Sequence, residues 1–309
     1  MRRGAVVLFA AAAGLAATLA AARPAAAYVR YQSNSGKMFK WPQSCVQLEA
    51  YPADLLEMMT AEEITGAVDA SAAAWSRSGD PCTYLDISVT TSTDPSPRAT
   101  NDGHNLVVFR AANWCKLTAT GECDSQVVYD QAALALTSVS ASTSSGIIRD
   151  ADIEVNAFHF SWADLVAHPD LRGAGMSYHD LQNAVTHEMG HLIGLDHTCY
   201  FQGPAPLDQN GVPIPDCANA SADVLATTMF PSANPGDIDK RTLAPDDQQA
   251  VCDIYPAAQD PMVCSPPGTM PPSGGCSSAA AAGAPASAAG LIALGAAILL
   301  AARARRRRS

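Results

Sequence analysis

The chain has 309 residues, 48% of them hydrophobic and 16% charged, so it can bury a sizeable core and is not a disordered protein. Both ends lack acidic residues and differ in composition from the middle. Residues 28–275 hold 11 basic and 30 acidic residues, a net charge of −19. An acidic surface of that size repels nucleic acid and anionic lipid, which excludes nucleic acid as a partner.

Residues 1–27 are typical of a secretory signal peptide. Arg2 and Arg3 precede an apolar stretch, and the small residues Ala25 to Ala27 form a signal-peptidase site. We therefore expect the mature chain to begin near Tyr28. An uncleaved membrane anchor is the alternative interpretation of the same segment.

The middle of the chain predicts strands and three helices in one α+β domain, residues 28–262. The first helix is predicted over residues 60–78, where Ile64, Val68 and Trp75 recur at helical spacing. The second begins near Asp180 and ends at Gly194. The third covers Pro245 to Ile254, with proline at its first position. Strands are predicted at 45–51, 85–91, 105–110, 132–138 and 147–155.

Eight of the nine cysteines lie between Cys45 and Cys264, an even number that suggests four disulfides in an exported domain. Proximity in sequence favours Cys115 with Cys123 and Cys199 with Cys217. The sequence leaves open how Cys45, Cys82, Cys252 and Cys264 pair among themselves. Cys276 lies beyond this set.

Residues 187–197 read HEMGHLIGLDH, which places two histidines one helical turn apart. His187 and His191 project from the same face of a helix, so both can reach one zinc ion at roughly 2.0 to 2.1 Å. Gly194 allows a sharp turn that returns His197 as a third ligand. Three protein ligands leave one coordination position open, which is typical of a catalytic zinc site.

Glu188 lies beside the two helical histidines rather than in line with them, because successive helical residues are offset by about 100°. A carboxylate in that position can take a proton from zinc-bound water and pass it to a leaving amine. The pattern therefore predicts His187, His191 and His197 as metal ligands and Glu188 as the catalytic base.

This extended motif resembles the zinc-binding signature of the metzincin metalloproteases, and its GLDH ending resembles the matrixin branch. The resemblance implies a single catalytic domain with a twisted, mostly parallel sheet, an active-site helix and a C-terminal helix. It also implies that Met229, in the segment TTMFP, forms a methionine turn beneath the metal. Residues 146–156 occupy the place of the family's substrate-binding edge strand, although a plain edge strand is equally consistent with them.

Two features depart from the matrixin pattern. No cysteine-containing propeptide switch lies between Tyr28 and the first helix, so latency through a thiolate on zinc is not indicated. The stretch from His197 to Met229 is longer than is usual, and it borders the cleft for the primed side of a substrate. Asp150 and Asp152 are candidates for calcium, but no spacing assigns a calcium site.

The C-terminus predicts a Pro/Gly/Ser linker at 263–275 and a membrane-directed tail at 276–309. The tail has an uncharged span long enough to cross a bilayer, followed by arginines from Arg303 to Arg308. With Gly275 and Cys276 before the span, it resembles the C-terminal sorting tails of myxobacterial surface proteins. That resemblance implies membrane contact before processing near Cys276, and then display at the cell surface.

Taken together, these features predict an exported, monomeric zinc endopeptidase acting on extracellular proteins or peptides. Two other functions use the same sequence features. One is a surface-displayed binding or adhesion module on a metzincin frame without turnover. The other is a zinc amidase acting on cell-wall peptides. The motif does not separate protein substrates from cell-wall substrates.

Overall fold

The computed structural model describes residues 28–51, 58–92, 94, 97–173 and 175–264, and the backbone of Leu294–Leu299. Within these residues a mixed α and β fold is built around one sheet. The helices are α1 (Ala61–Trp75), α2 (Leu181–Leu192), α3 (Ala222–Leu225) and α4 (Pro245–Ile254). The strands are β1 (Val29–Arg30), β2 (Cys45–Ala50), β3 (Asp86–Thr91), β4 (Asn105–Arg110), β5 (Ala133–Ala141), β6 (Ile148–Asn156), β7 (Ser161–Ala163), β8 (Tyr178–Asp180), β9 (Leu195–Asp196) and β10 (Leu294–Leu299).

The central sheet has the strand order β10-β5-β6-β4-β2-β3 and is mostly parallel. Strands β2, β3, β4 and β6 run parallel, whereas β5 is antiparallel to β6 and β10 is antiparallel to β5. The predicted α+β class and mostly parallel sheet are therefore confirmed. Two short pairs, β1 with β9 and β7 with β8, flank the site helix α2.

The prediction that residues 146–156 form an edge strand is wrong. This segment contains β6, which is hydrogen-bonded to β5 on one side and β4 on the other. The residues before it, predicted only as a plain strand, form the nine-residue β5 and cover that edge. Within the domain that ends at Cys264, β5 is therefore the outer strand on this side of the sheet.

Helices α1 and α2 pack together on one face of the sheet. Thr60 caps α1 in a capping box with Glu63, and the helix ends at Trp75, three residues earlier than predicted. The buried Trp75 indole donates to the Thr186 carbonyl of α2 at 2.8 Å. This hydrogen bond across the helix pair fixes α2 against α1.

The two faces of β6 have opposite chemistry. Ala151, Ile153 and Val155 lie in the main hydrophobic core. Asp150, Asp152 and Glu154 alternate with them, as neighbouring residues of a strand do, and are buried on the opposite face. Glu154 forms a buried ion pair there with Arg110 and accepts a hydrogen bond from the Tyr129 hydroxyl at 2.7 Å.

Four disulfides link the eight cysteines between Cys45 and Cys264, as predicted. Cys115 pairs with Cys123 and Cys199 with Cys217, each across a short loop. The remaining pairs, which the sequence left open, are Cys45 with Cys264 and Cys82 with Cys252. Both connect segments that are far apart in sequence. Such disulfides are typical of proteins of oxidising compartments, in keeping with the predicted export.

The predicted signal peptide lies outside the described residues, as do Cys276 and nearly all of the predicted tail. The described part of that tail is β10, a strand on the edge of β5 and not part of a helix. The backbone groups of β10 that face β5 find their hydrogen-bond partners on that strand edge. Among the residues that the structure describes, no helix has the length and apolar character needed to cross a membrane.

Candidate metal centre

Helix α2 carries the site and is held at its first turn by charged side chains. Asp180 caps the helix by accepting a hydrogen bond from the Asn183 amide at 2.8 Å. The guanidinium of Arg241 bridges the buried Asp180 to Asp164. Because Asp180 is both a cap and an ion-pair partner, the start of the helix is fixed relative to the segment that carries Arg241.

The turn after α2 requires glycine at position 194. Gly194 has φ +101°, which side chains with a Cβ rarely adopt. A Cβ built there would lie 2.5 Å from the Phe39 carbonyl oxygen. The chain reverses at this point into β9, which pairs with β1 and leads directly to His197. The predicted sharp turn is thus present, and the approach of Phe39 adds a second reason for glycine.

The three predicted histidines meet at one point. The Nε2 atom of His197 lies 3.2 Å from that of His187 and 3.1 Å from that of His191. Two nitrogens bound to one tetrahedral zinc ion are separated by about 3.3 Å, given zinc to nitrogen distances near 2.05 Å. The observed separations match that value, so the three side chains can hold a metal ion.

The hydrogen bonds of the other ring nitrogens support this conclusion. His187 Nδ1 lies 2.6 Å from the Thr228 carbonyl oxygen, and His191 Nδ1 lies 2.9 Å from that of Leu195. A carbonyl accepts only, so each Nδ1 carries the proton and each Nε2 presents a lone pair. Lone pairs that face one another repel unless a cation lies between them. The donor set therefore fits zinc.

Burial keeps these histidines in the form that binds metal. It lowers the pKa of His191 to about 4 and lowers the pKa of His187 and His197 as well. All three are therefore neutral at physiological pH. A bound cation would favour the same form, because only a neutral imidazole offers a lone pair.

Glu188 follows His187 and reaches the strand beside it. Its Oε2 accepts a hydrogen bond from the Thr137 hydroxyl of β5 at 2.6 Å. Its Oε1 is buried without a hydrogen-bond partner among the described residues. Burial raises the pKa of this carboxyl to about 8, and a cation on the three histidines would lower it again. One oxygen is anchored, and the other is free to accept a proton.

Met229 packs against the helix between the first two histidines, where the methionine turn was predicted. It is fully buried, and a Cβ built on Gly190 would lie 2.2 Å from its sulfur. The same turn supplies the Thr228 carbonyl that orients His187. Met229 thus supports α2 by packing against Gly190. The neighbouring Thr228 carbonyl supports the same helix through its hydrogen bond with His187.

Gly190→Ala is expected to lower the free energy of unfolding by about 1 to 3 kcal/mol, since the added methyl overlaps the Met229 side chain. Gly66→Ala is the matched control. Gly66 is an exposed glycine inside α1 with nothing near its Cβ position, so alanine there should add about 0.5 to 1 kcal/mol. Urea unfolding of both variants measures the two changes. Equal changes in the two would contradict the packing of Met229 on Gly190.

Three residues at the centre were not predicted from the sequence. Of the three, only Thr137 could have been found from the sequence, because it is a polar residue between the core positions Ala135 and Val139 of a strand. Lys240 is buried next to the site, with Nζ 3.5 Å from His187 Nδ1 and a bond to the Phe230 carbonyl. Tyr31 stacks on His191 at 5.4 Å between ring centroids. Lys240 and Tyr31 reach the site through long-range contacts, which no local sequence pattern predicts.

The calcium candidates do not form a comparable cluster. Asp150 accepts a hydrogen bond from the Gly103 amide, and Asp152 accepts one from the Leu106 amide. Among the described residues, the other group with three ligand atoms close together contains Cys82 and Cys252, which are joined in a disulfide. The three histidines are thus the metal centre that the described part of the chain supports.

Two comparisons with known proteins find no relative of this chain. No protein-family model matches it, and no curated protein matches it. The resemblance to the metzincins therefore rests on the residues of the site alone.

Proposed function

We propose that the chain is a zinc-dependent hydrolase and, more narrowly, an endopeptidase of the metzincin kind that acts on extracellular proteins. One observation carries the proposal. Three histidines bring their Nε2 atoms to one point, and the glutamate that follows the first of them keeps one carboxylate oxygen without a hydrogen-bond partner among the described residues. A purely structural zinc site has four protein ligands and needs no adjacent base.

Each residue of the centre has a distinct role in the proposed reaction. Nε2 of His187, His191 and His197 would hold the metal, with a fourth position left for reactants. When bound, zinc lowers the pKa of water at the site and polarises the scissile carbonyl. Glu188 accepts the proton of the attacking water at Oε1 and then donates it to the leaving amine. Thr137 keeps the carboxyl in place by holding Oε2.

The edge of β5 supports a peptide as the substrate. In the described structure an extended segment, β10, already pairs with this edge, and Ala296 lies opposite Thr137. A substrate that replaced β10 in the same antiparallel direction would pass directly beside Glu188, which Thr137 contacts. Backbone pairing of this kind recognises extended peptides of many sequences, as an endopeptidase needs.

A digest of mixed proteins and of peptidoglycan tests the proposal. The zinc-loaded protein is expected to cut internal peptide bonds in denatured proteins and to stop when zinc is chelated. Both the full-length chain and a chain ending at Gly275 should be used, because the shorter one keeps all four disulfides and lacks β10.

The other two possible results of this digest favour the two alternative functions. Release of peptides from peptidoglycan without protein cleavage would favour the cell-wall amidase. A folded, zinc-loaded protein of either length that cleaves neither substrate would favour the binding module and contradict the proposal.

A further inference from the structure

A cavity of about 380 Å³ opens beside His197, and no step of the proposed reaction uses it. Its walls come from four parts of the chain. The segment 199–217 supplies Phe201, Pro206 and Ile214, the turn before β5 supplies Asp130, the residue before the third histidine supplies Asp196, and Pro231 follows the methionine turn. The volume lies within the range of pockets that bind small ligands or single side chains.

The outer wall of the cavity is rigid. Segment 199–217 is closed by the disulfide between Cys199 and Cys217. Tyr200 forms backbone hydrogen bonds to Pro215 and Cys217 across the base of this segment, at 3.0 and 2.8 Å. Its far end is tied to the N-terminal strand, because the Gln209 side chain bonds to backbone atoms of Tyr28 and Arg30. A wall held at both ends presents a preformed pocket.

The position of Asp130 shows which part of a substrate would enter. Strand β5 begins three residues after Asp130, and Thr137 marks the place of Glu188 along it. A substrate antiparallel to β5 runs towards the start of that strand as it passes from its N-terminal to its C-terminal half. Asp130 therefore lies beside the residues that follow the scissile bond.

The charge of the cavity is negative. Asp130 and Asp196 both line it, and its described lining contains no lysine or arginine. The carboxylate of the exposed Asp130 accepts one hydrogen bond, from the Ala132 amide at 2.9 Å, so it retains acceptor capacity. The net charge of −19 on residues 28–275 also favours the approach of cationic peptides to the protein as a whole.

We propose that this cavity is a specificity pocket for a lysine or arginine side chain that follows the scissile bond. The hydrocarbon stem lies against Phe201 and Ile214, and the cationic end meets Asp130 and Asp196. The assignment rests on the proposed function, because it takes the cavity to be part of a peptide-binding cleft. The pocket is built from the disulfide-closed segment that lengthens the chain between His197 and Met229.

The test compares peptides that differ only at the residue after the scissile bond, with lysine, norleucine or glutamate there. Wild-type protein ending at Gly275 is expected to prefer lysine over norleucine by roughly two- to fivefold in kcat/KM, the gain of one partly exposed ion pair. Asp130→Asn should remove most of that preference, and Asp130→Lys should shift it towards glutamate. The control Asp124→Asn changes the same kind of turn, in which Asp124 accepts from Gln126, outside the cavity lining. It should leave the preference unchanged.

Peptide binding to the Glu188→Gln protein gives a second readout that does not require turnover. Fluorescence anisotropy with the same peptides should show the lysine preference and its loss in Asp130→Asn. Cleavage with equal or apolar preference would overturn the pocket assignment and leave the endopeptidase intact. Absence of cleavage would contradict the proposed function. In that case the binding data still decide the assignment, which fails if lysine peptides bind no better than norleucine peptides.

Discussion

Glu188→Gln is expected to lower peptide turnover by roughly 10²- to 10⁴-fold, the usual effect of removing a general base. Glutamine has the size of glutamate, and its side-chain oxygen can still accept the Thr137 hydroxyl hydrogen bond at the position of Oε2. It cannot take a proton from water. The variant should therefore keep its fold and its metal while it loses turnover.

Metal analysis, thermal unfolding and hydrolysis of a quenched peptide measure these three properties on one preparation. Thr137→Val is an informative companion, because it leaves Glu188 in place but removes the donor that orients it. We expect a smaller loss of turnover than in Glu188→Gln. Turnover that survived Glu188→Gln unchanged would show that another group acts as the base.

His191→Ala is expected to abolish both zinc binding and turnover. The substitution removes one of three convergent Nε2 atoms and leaves the Leu195 carbonyl without its imidazole donor. The histidines form a set in which each ligand depends on the others, so zinc affinity should fall far more than a surface histidine could explain.

His104→Ala is the matched control for this prediction. His104 is a partly exposed histidine 3.7 Å from the Glu49 carboxylate, outside the group of three. Its replacement should change neither zinc content nor turnover. Equal loss of zinc in the two variants would mean that the protein binds zinc nonspecifically through its histidines.

The three long helices and the group of three histidines could be predicted from the sequence because they depend on local rules. The apolar spacing of α1, the proline that begins α4 and the two histidines one turn apart each act within a few residues. The two short disulfides were also accessible, since loops of that length bring their ends together. The end of α1 was misplaced by three residues, and the four-residue α3 was not predicted.

Strand order could not be read in the same way. Both β5 and β6 have strand-forming patterns, and only the long-range pairing of β6 with β4 decides which of them is outermost. The contacts that Thr137 and Lys240 make with the centre could not be predicted for the same reason, because each residue reaches the site from a segment about 50 residues away in sequence. Such contacts depend on the packed structure rather than on any local pattern.

Strand β10 lies on the edge of β5 that the proposed substrate would use. A chain that ends before β10 offers that edge to a peptide, which is why both chain lengths belong in any assay of the wild type.

The most direct test of the proposed zinc hydrolase function is the metal content of the wild-type protein, measured beside its peptide turnover and compared with His191→Ala. The structure predicts one tightly bound zinc per wild-type chain, loss of turnover in proportion to zinc removed, and recovery when zinc is restored. His191→Ala should hold no stoichiometric zinc and should not recover. Full turnover by a wild-type protein stripped of metal would contradict the account.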